Sequence, residues 1–239
     1  MIEIKDISKK FGEKTALENI NFTLQSGYIT ALIGENGAGK STLMRIMCGY
    51  SSPNSGVVKI FGHDVMQNRL AALKNIGYVP EISALYGEMR VFDFLMWIAN
   101  LWKEKYPQDA VIKAAKQMKI MDVLNQKIET LSKGFKKRVE IASAILHSPQ
   151  FLILDEPTDG LDPNQKYDIR QFMKEYATNH IVLVSTHVLE DVDVAERVIM
   201  LSKGNIISDT DISSFKKVSK NKDLNEAFRI LSKQKKDTK

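Results

Sequence analysis

The sequence predicts an α/β fold with a mainly parallel sheet, and three observations support this reading. A glycine-rich loop stands between a strand and a helix, strand-length apolar runs return late in the chain, and a helical block separates the early strands from the late ones. The loop is Gly34-Glu35-Asn36-Gly37-Ala38-Gly39-Lys40-Ser41-Thr42, with four residues between Gly34 and Gly39 and Lys-Ser directly after. The apolar run Tyr28 to Ile33 before it reads as a buried strand, and Thr42 to Cys48 after it reads as a helix start. Ile2 and Ile4, then Phe22 and Leu24, alternate as half-buried strands do, and Val57 to Phe61 and Ile76 to Val79 add short β segments. From Val91 to Leu146 the period turns helical: Phe92, Leu95, Ile98 and Leu101 recur at helical spacing, Pro107 restarts the chain, and Ala110 to Met121 is again periodic. Strands return at Phe151 to Leu154, Ile181 to Val184 and Val198 to Leu201, the last followed by a Lys203-Gly204-Asn205 turn. Strands alternating with helices imply parallel pairing, with any ligand at the strands' C-terminal ends.

The loop is built for a compact polyanion. Glycines let consecutive backbone N–H groups converge on a phosphate chain without Cβ interference, and the helix N-terminus adds a favourable dipole. Lys40 is placed to reach β- and γ-phosphates, Ser41 to offer a hydroxyl to Mg²⁺, and Thr42 to bond the α-phosphate.

Further constellations follow in a definite order. Phe151 to Glu156 is an apolar strand ending in two acids, where Asp155 can hold Mg²⁺ through water and Glu156 can polarise a water for in-line attack. His187 leaves the next core strand in Ser185-Thr186-His187 and reads as a phosphate contact. His63, His147 and His180 lack such a setting and read as ordinary core histidines. Leu131-Ser132-Lys133-Gly134-Phe135 opens a helix through Ile145, a plausible second phosphate cradle, and a Gly160-Leu161-Asp162 turn lies beyond the acidic strand.

Taken jointly, these motifs resemble, over nearly the whole chain, the ATP-binding subunit of ABC transporters. The resemblance implies a P-loop NTPase core with a mainly parallel sheet, an N-terminal antiparallel β segment and an inserted helical subdomain at about 82–149. The ATP-binding domain would span 1–210 and a basic C-terminal extension 211–239. It further implies that Phe11 stacks on adenine in place of the family's more usual Tyr. Ser132 and Gly134 would contact the γ-phosphate of ATP held by a partner subunit, and Asp162 would cross the interface of a head-to-tail homodimer or pseudo-dimer. Lys133 and Phe135 depart from the usual Gly and Gln, and Glu81 stands where Gln is usual while still offering an oxygen to Mg²⁺ or the attacking water. These departures resemble a branch of stand-alone ATPase subunits serving separate exporter-type permeases. ATP and Mg²⁺ are the implied cofactors, a membrane permease subunit the implied partner, and the cytoplasmic face of the membrane the implied location. The alternative, an ABC-type ATPase acting on nucleic acid or ribosomes, usually carries two ATP domains or a long coiled coil, so no nucleic acid is expected.

Composition is compatible with this. No apolar run approaches the ~20 residues that span a bilayer, the first ten residues lack a signal-peptide core, and the composition reads as that of a soluble chain. The single cysteine, Cys48, fits a reducing compartment and reads as a small buried hydrophobe. Residues 211–239 hold nine cations and four acids, which accounts for the whole net charge of +5. That end reads as a solvated tail rather than a nucleic-acid face or a lipid-binding stretch. Phe94, Trp97 and Trp102 read as core of the helical subdomain, the alternative being a groove for a permease helix.

Overall fold

The structure is a computed structural model describing residues 1–82 and 85–234. It opens with two long strands, β1 (Ile2–Phe11) and β2 (Lys14–Leu24), then β3 (Ile29–Gly34) and helix α1 (Lys40–Met47). β4 (Ser55–Ile60), β5 (His63–Asp64), α2 (Arg69–Leu73) and β6 (Ile76–Val79) follow. The helical block is α3 (Val91–Leu101), α4 (Pro107–Gln117) and α5 (Lys133–Ile145). The chain then alternates through β7 (Phe151–Asp155), α6 (Pro163–Ala177), β8 (Ile181–Ser185), α7 (Leu189–Val192) and β9 (Arg197–Ser202), and ends in β10 (Asn205–Asp211), α8 (Ile212–Lys216) and α9 (Leu224–Gln234).

Two sheets form. The antiparallel sheet has the order β2-β1-β4-β5, and the larger sheet the order β10-β9-β3-β8-β7-β6. Every pair in the larger sheet is parallel except the terminal β10–β9 hairpin. Up to their closing Asp155 and Ser185, β7 and β8 are apolar because both faces are covered, and alternation divides their side chains. Leu152, Leu154, Val182 and Val184 join a core with the helical block and α6. Phe151, Ile153, Ile181 and Leu183 join a second core with α1 and the antiparallel sheet. Each fully buried Leu, Ile or Phe contributes roughly 1.5–3 kcal/mol, so the large sheet is a wall stabilised from both sides. The C-terminal ends of β3, β7 and β8 thereby hold fixed relative positions.

Two readings of the sequence need correction. The basic C-terminal end is not a solvated tail through residue 234: Phe215 and Ala227 are fully buried, and Leu224, Phe228 and Leu231 pack on the first core. Four apolar residues at helical spacing supply that face, which charge counting overlooks. Lys235, Lys236, Asp237 and Lys239, counted in that reading, lie outside the described residues, as do positions 83 and 84 of the helical insertion. Nor are the aromatics one core set. Phe94 is buried, whereas Trp97 is 41% and Trp102 37% exposed. Trp97 meets Tyr86 edge to face at 5.3 Å, and Trp102 stacks on His147 at 4.0 Å. Trp97 also meets Phe94 at 6.3 Å, yet both tryptophans, on α3 or at its end, keep more than a third of their surface exposed.

Candidate functional site

The glycine-rich loop joins β3 to α1 as the sequence implies, and close approach explains its glycines. A Cβ on Gly34 would lie 2.4 Å from the Leu201 carbonyl oxygen, and one on Gly39 2.6 Å from that of Ala16. Gly39 also has φ of 111°, a conformation open essentially to glycine. Lys40 begins α1, is 8% exposed, and donates from Nζ to the Gly34 carbonyl at 2.8 Å. Its ammonium is thereby folded back across the loop.

A cavity of about 670 Å³ opens at this loop. Phe11, Gly34 through Thr42, Glu81, Asp155, Glu156 and His187 all line it, so residues scattered over most of the sequence meet in one place. Phe11 is 55% exposed, which removes plain core packing as its role, and the Lys9 ammonium sits 5.1 Å from its ring centroid. Glu156 has φ of 48°, a left-handed conformation that costs a non-glycine residue about 1–2 kcal/mol. Its backbone N–H donates to Ser185 O at 2.8 Å. Its Oε2 accepts from the His187 backbone N–H at 3.2 Å and lies 2.9 Å from His187 Nδ1. That carboxylate raises the His187 pKa above the ordinary histidine value, burial acting in the opposite direction. A more cationic imidazole beside the phosphate loop favours an anionic ligand.

Ser41 offers a hydroxyl, and Asp155 and Glu81 offer carboxylates, to the same cavity. These hard oxygen donors suit Mg²⁺. Among the described residues no group of three or more His, Cys, Asp or Glu forms a cage. Two carboxylates and a hydroxyl are fewer donors than Mg²⁺ takes, so these residues alone would leave positions on it for other oxygens. Burial pushes the Asp155 carboxyl from an ordinary 3.8 up to about 6, with Ser185 lowering it and the Glu156 and Glu81 charges raising it. The folded chain therefore holds this proton more tightly than the unfolded chain. Stability is lost as pH rises from the unfolded value towards 6 and stays lost above it, by roughly 3 kcal/mol for a shift of this size. Asp155→Asn should accordingly raise the melting temperature of metal-free protein by several degrees at about pH 7.5, with the gain vanishing near pH 4. Thermal melts in EDTA across that range check it, and a gain independent of pH would rule out the buried charge as its source.

Ser132, Gly134 and Asp162 do not line the cavity. Ser132 caps α5, its Oγ accepting from the Phe135 N–H at 3.3 Å. Asp162 caps α6 in a reciprocal box with Gln165, accepting from its N–H at 2.9 Å. The two helix starts touch, because the Gln165 side chain fills the space a Cβ on Gly134 would need. Lys133 reaches over Gly160 towards Asp159 at 3.7 Å. These residues thus form a second group of their own, built on two adjoining helix N-termini.

Sequence reading missed Lys14, Ala16, Thr186, Leu189, Asn225 and Phe228, which complete the cavity wall. Lys14 pairs with Phe11 across the β1–β2 turn, a hairpin relation that a strand boundary alone does not reveal. Of the remaining histidines, His147 and His180 are held by the structure and His63 is not. His147 Nε2 donates to the Ile76 carbonyl at 3.0 Å, and burial takes its pKa down to about 4. His180 stacks on Tyr176 at 4.2 Å, whereas the reading of His63 as a core histidine is corrected: it is exposed on the two-residue edge strand β5. Cys48 is buried at 2% exposure, and burial raises its thiol pKa well above the ordinary value.

The family profile described as ABC transporter matches residues 17–159. The chain is 34% identical over 210 residues to the uncharacterized ABC transporter ATP-binding protein YxlF of Bacillus subtilis (strain 168), covering 86% of this chain and 69% of that protein. It is 30% identical over 220 residues to the bacitracin transport ATP-binding protein BcrA of Enterococcus faecalis, covering 91% and 71% respectively. Among solved structures, an ATP-binding subunit of an ABC transporter superposes with a TM-score of 0.86 at 26% identity, covering 97% of this chain and 99% of that one. The dimeric bacterial ABC transporter cassette MJ0796 superposes with a TM-score of 0.78 at 25% identity, covering 88% and 98%. The chain belongs to the ABC transporter family and is an ATP-binding cassette with a P-loop NTPase fold.

Proposed function

We propose that this chain is the ATP-hydrolysing subunit of an ABC transporter, that two copies close head to tail around two MgATP, and that this closure drives a separate membrane permease. The observation that carries the reading is the division of one chain into two half-sites: the cavity with Lys40, Glu156 and His187, and the helix-start pair with Ser132, Gly134 and Asp162 outside it. A two-fold axis would bring the helix starts of one copy over the cavity of the other. No helix of the described residues is long and apolar enough to cross a membrane. A second protein spans it, and this chain sits peripherally on the cytoplasmic face.

Within the cavity the Phe11 ring stacks on the base, the loop N–H groups and Lys40 hold the phosphates, and the start of α5 from the other copy meets the γ-phosphate. Ser41, Asp155 and Glu81 would hold Mg²⁺, which supplies neutralising charge to the phosphates. Glu156 accepts a proton from water as that water attacks the γ-phosphorus in line and the bond to ADP breaks, and His187 keeps its carboxylate aimed.

Complementation tests the dimer. Ser132→Arg should bind ATP as a monomer yet fail to turn over, and Lys40→Ala should fail at binding. Mixed, they form one composite site with an intact loop from one copy and an intact helix start from the other, so phosphate release should return. Loss of monomer ATP binding in Ser132→Arg would overturn the trans geometry.

A further inference from the structure

β7 and β8 are locked in register as far as Asp155 opposite Ser185, and one more bond, from the Glu156 N–H to Ser185 O, ends the ladder. Beyond it the two loops carrying Glu156 and His187 leave the sheet, and no strand pairing sets their spacing. A buried carboxylate does. Asp191, on the short helix α7, has no exposed surface. One of its oxygens accepts from Thr158 Oγ1 at 2.5 Å and from Thr186 Oγ1 at 3.3 Å, while the other accepts from Arg170 Nε at 2.7 Å. Thr158 lies two residues after Glu156, and Thr186 directly precedes His187. Thr186 Oγ1 also accepts from the Val188 N–H at 2.9 Å, which fixes the turn around His187. The contacts close a ring that runs from Glu156 through Pro157 to Thr158, across Asp191 to Thr186, along the chain to His187, and back to Glu156.

We propose that Asp191 is a positioning residue for hydrolysis, joining the loop of the general base to the loop of its histidine so that the two side chains stay paired. A charged group fully out of water is tolerated only with several donors, and here those donors come from both loops and from α6. Arg170 is anchored on its far side by Glu190 at 3.0 Å, so the carboxylate is held between a cation and two hydroxyls. Stability alone would be served as well by an apolar side chain at a fully buried position. The arrangement of donors matches a need for fixed geometry between two loops.

The inference rests on Glu156 and His187 acting as the hydrolytic pair, and the experiment separates the two ideas. The purified chain is compared as wild type, Asp191→Asn, Thr158→Val, Thr158→Ser and Glu156→Gln, with MgATP affinity, kcat and thermal melts measured on each. Asn keeps the shape and one acceptor, Val removes a single hydroxyl at equal volume, and Ser restores it. Asp191→Asn and Thr158→Val should lower kcat at least tenfold with MgATP affinity within twofold of wild type, and Thr158→Ser should recover most of the turnover. Wild-type kcat in a folded Asp191→Asn or Thr158→Val, or affinity falling in step with kcat, would overturn the proposal. Should Asp191→Asn fail to fold, Thr158→Val decides alone. Glu156→Gln turning over at the wild-type rate would instead remove the underlying assignment of the base.

Discussion

Glu156→Gln is expected to bind MgATP nearly as tightly as wild type, to lose turnover by at least about a hundredfold, and to accumulate as an ATP-bound dimer. The amide matches the carboxylate in shape and keeps an oxygen for the His187 N–H, so the strained turn at position 156 has the same partner. Basicity is what disappears. A general base contributes roughly 10²–10⁴ in rate by accepting the proton of the attacking water, and an amide cannot do so. In the proposed site, binding falls to the loop and Lys40, which the substitution leaves unchanged. Size-exclusion chromatography with MgATP and a phosphate-release assay read both halves of the result. Hydrolysis at the wild-type rate would mean that another group activates the water.

Lys40→Ala should act one step earlier, weakening ATP binding at least tenfold. A charge-assisted contact to phosphate is worth roughly 1.5–3 kcal/mol, and each 1.4 kcal/mol is a factor of ten. The loss is compounded locally, because the Gly34 carbonyl gives up its 2.8 Å donor and the buried Asp155 carboxylate loses a nearby cation. Fluorescent-nucleotide titration is the measurement. Affinity within twofold of wild type would place the Lys40 ammonium away from the phosphates.

The core of the site was legible because its residues sit where chemistry and secondary structure coincide. A carboxylate pair at the end of an all-apolar strand, and a histidine at the end of the next, stand out against burial, and the structure places Asp155, Glu156 and His187 on one cavity wall. The strands were legible for the same reason: β7 and β8 are short, apolar up to their closing Asp155 and Ser185, and bounded by turn residues. What escaped depended on partners distant in sequence. Asp191 looks like one more acid on a polar helix until Thr158 and Arg170 are seen to donate to it. Trp97 and Trp102 carry the composition of a core but lie where the helical block meets solvent, which the period of α3 alone did not settle. At the C-terminal end the lysines are conspicuous and the spacing of Leu224, Ala227, Phe228 and Leu231 is not, so a packed helix reads as a tail.

That helix carries a practical consequence. α9 brings Asn225 and Phe228 to the wall of the cavity at the glycine-rich loop, beside Leu189 and His187. The native chain has one thiol, at Cys48, and it is buried inside α1's core with little tendency to ionise. A cysteine introduced at Asn225 would therefore be the reactive thiol of the molecule. A fluorophore attached there would sit at the edge of the chamber, on a segment outside the glycine-rich loop, and under the proposed function would make α9 an optical gauge of nucleotide arrival and departure.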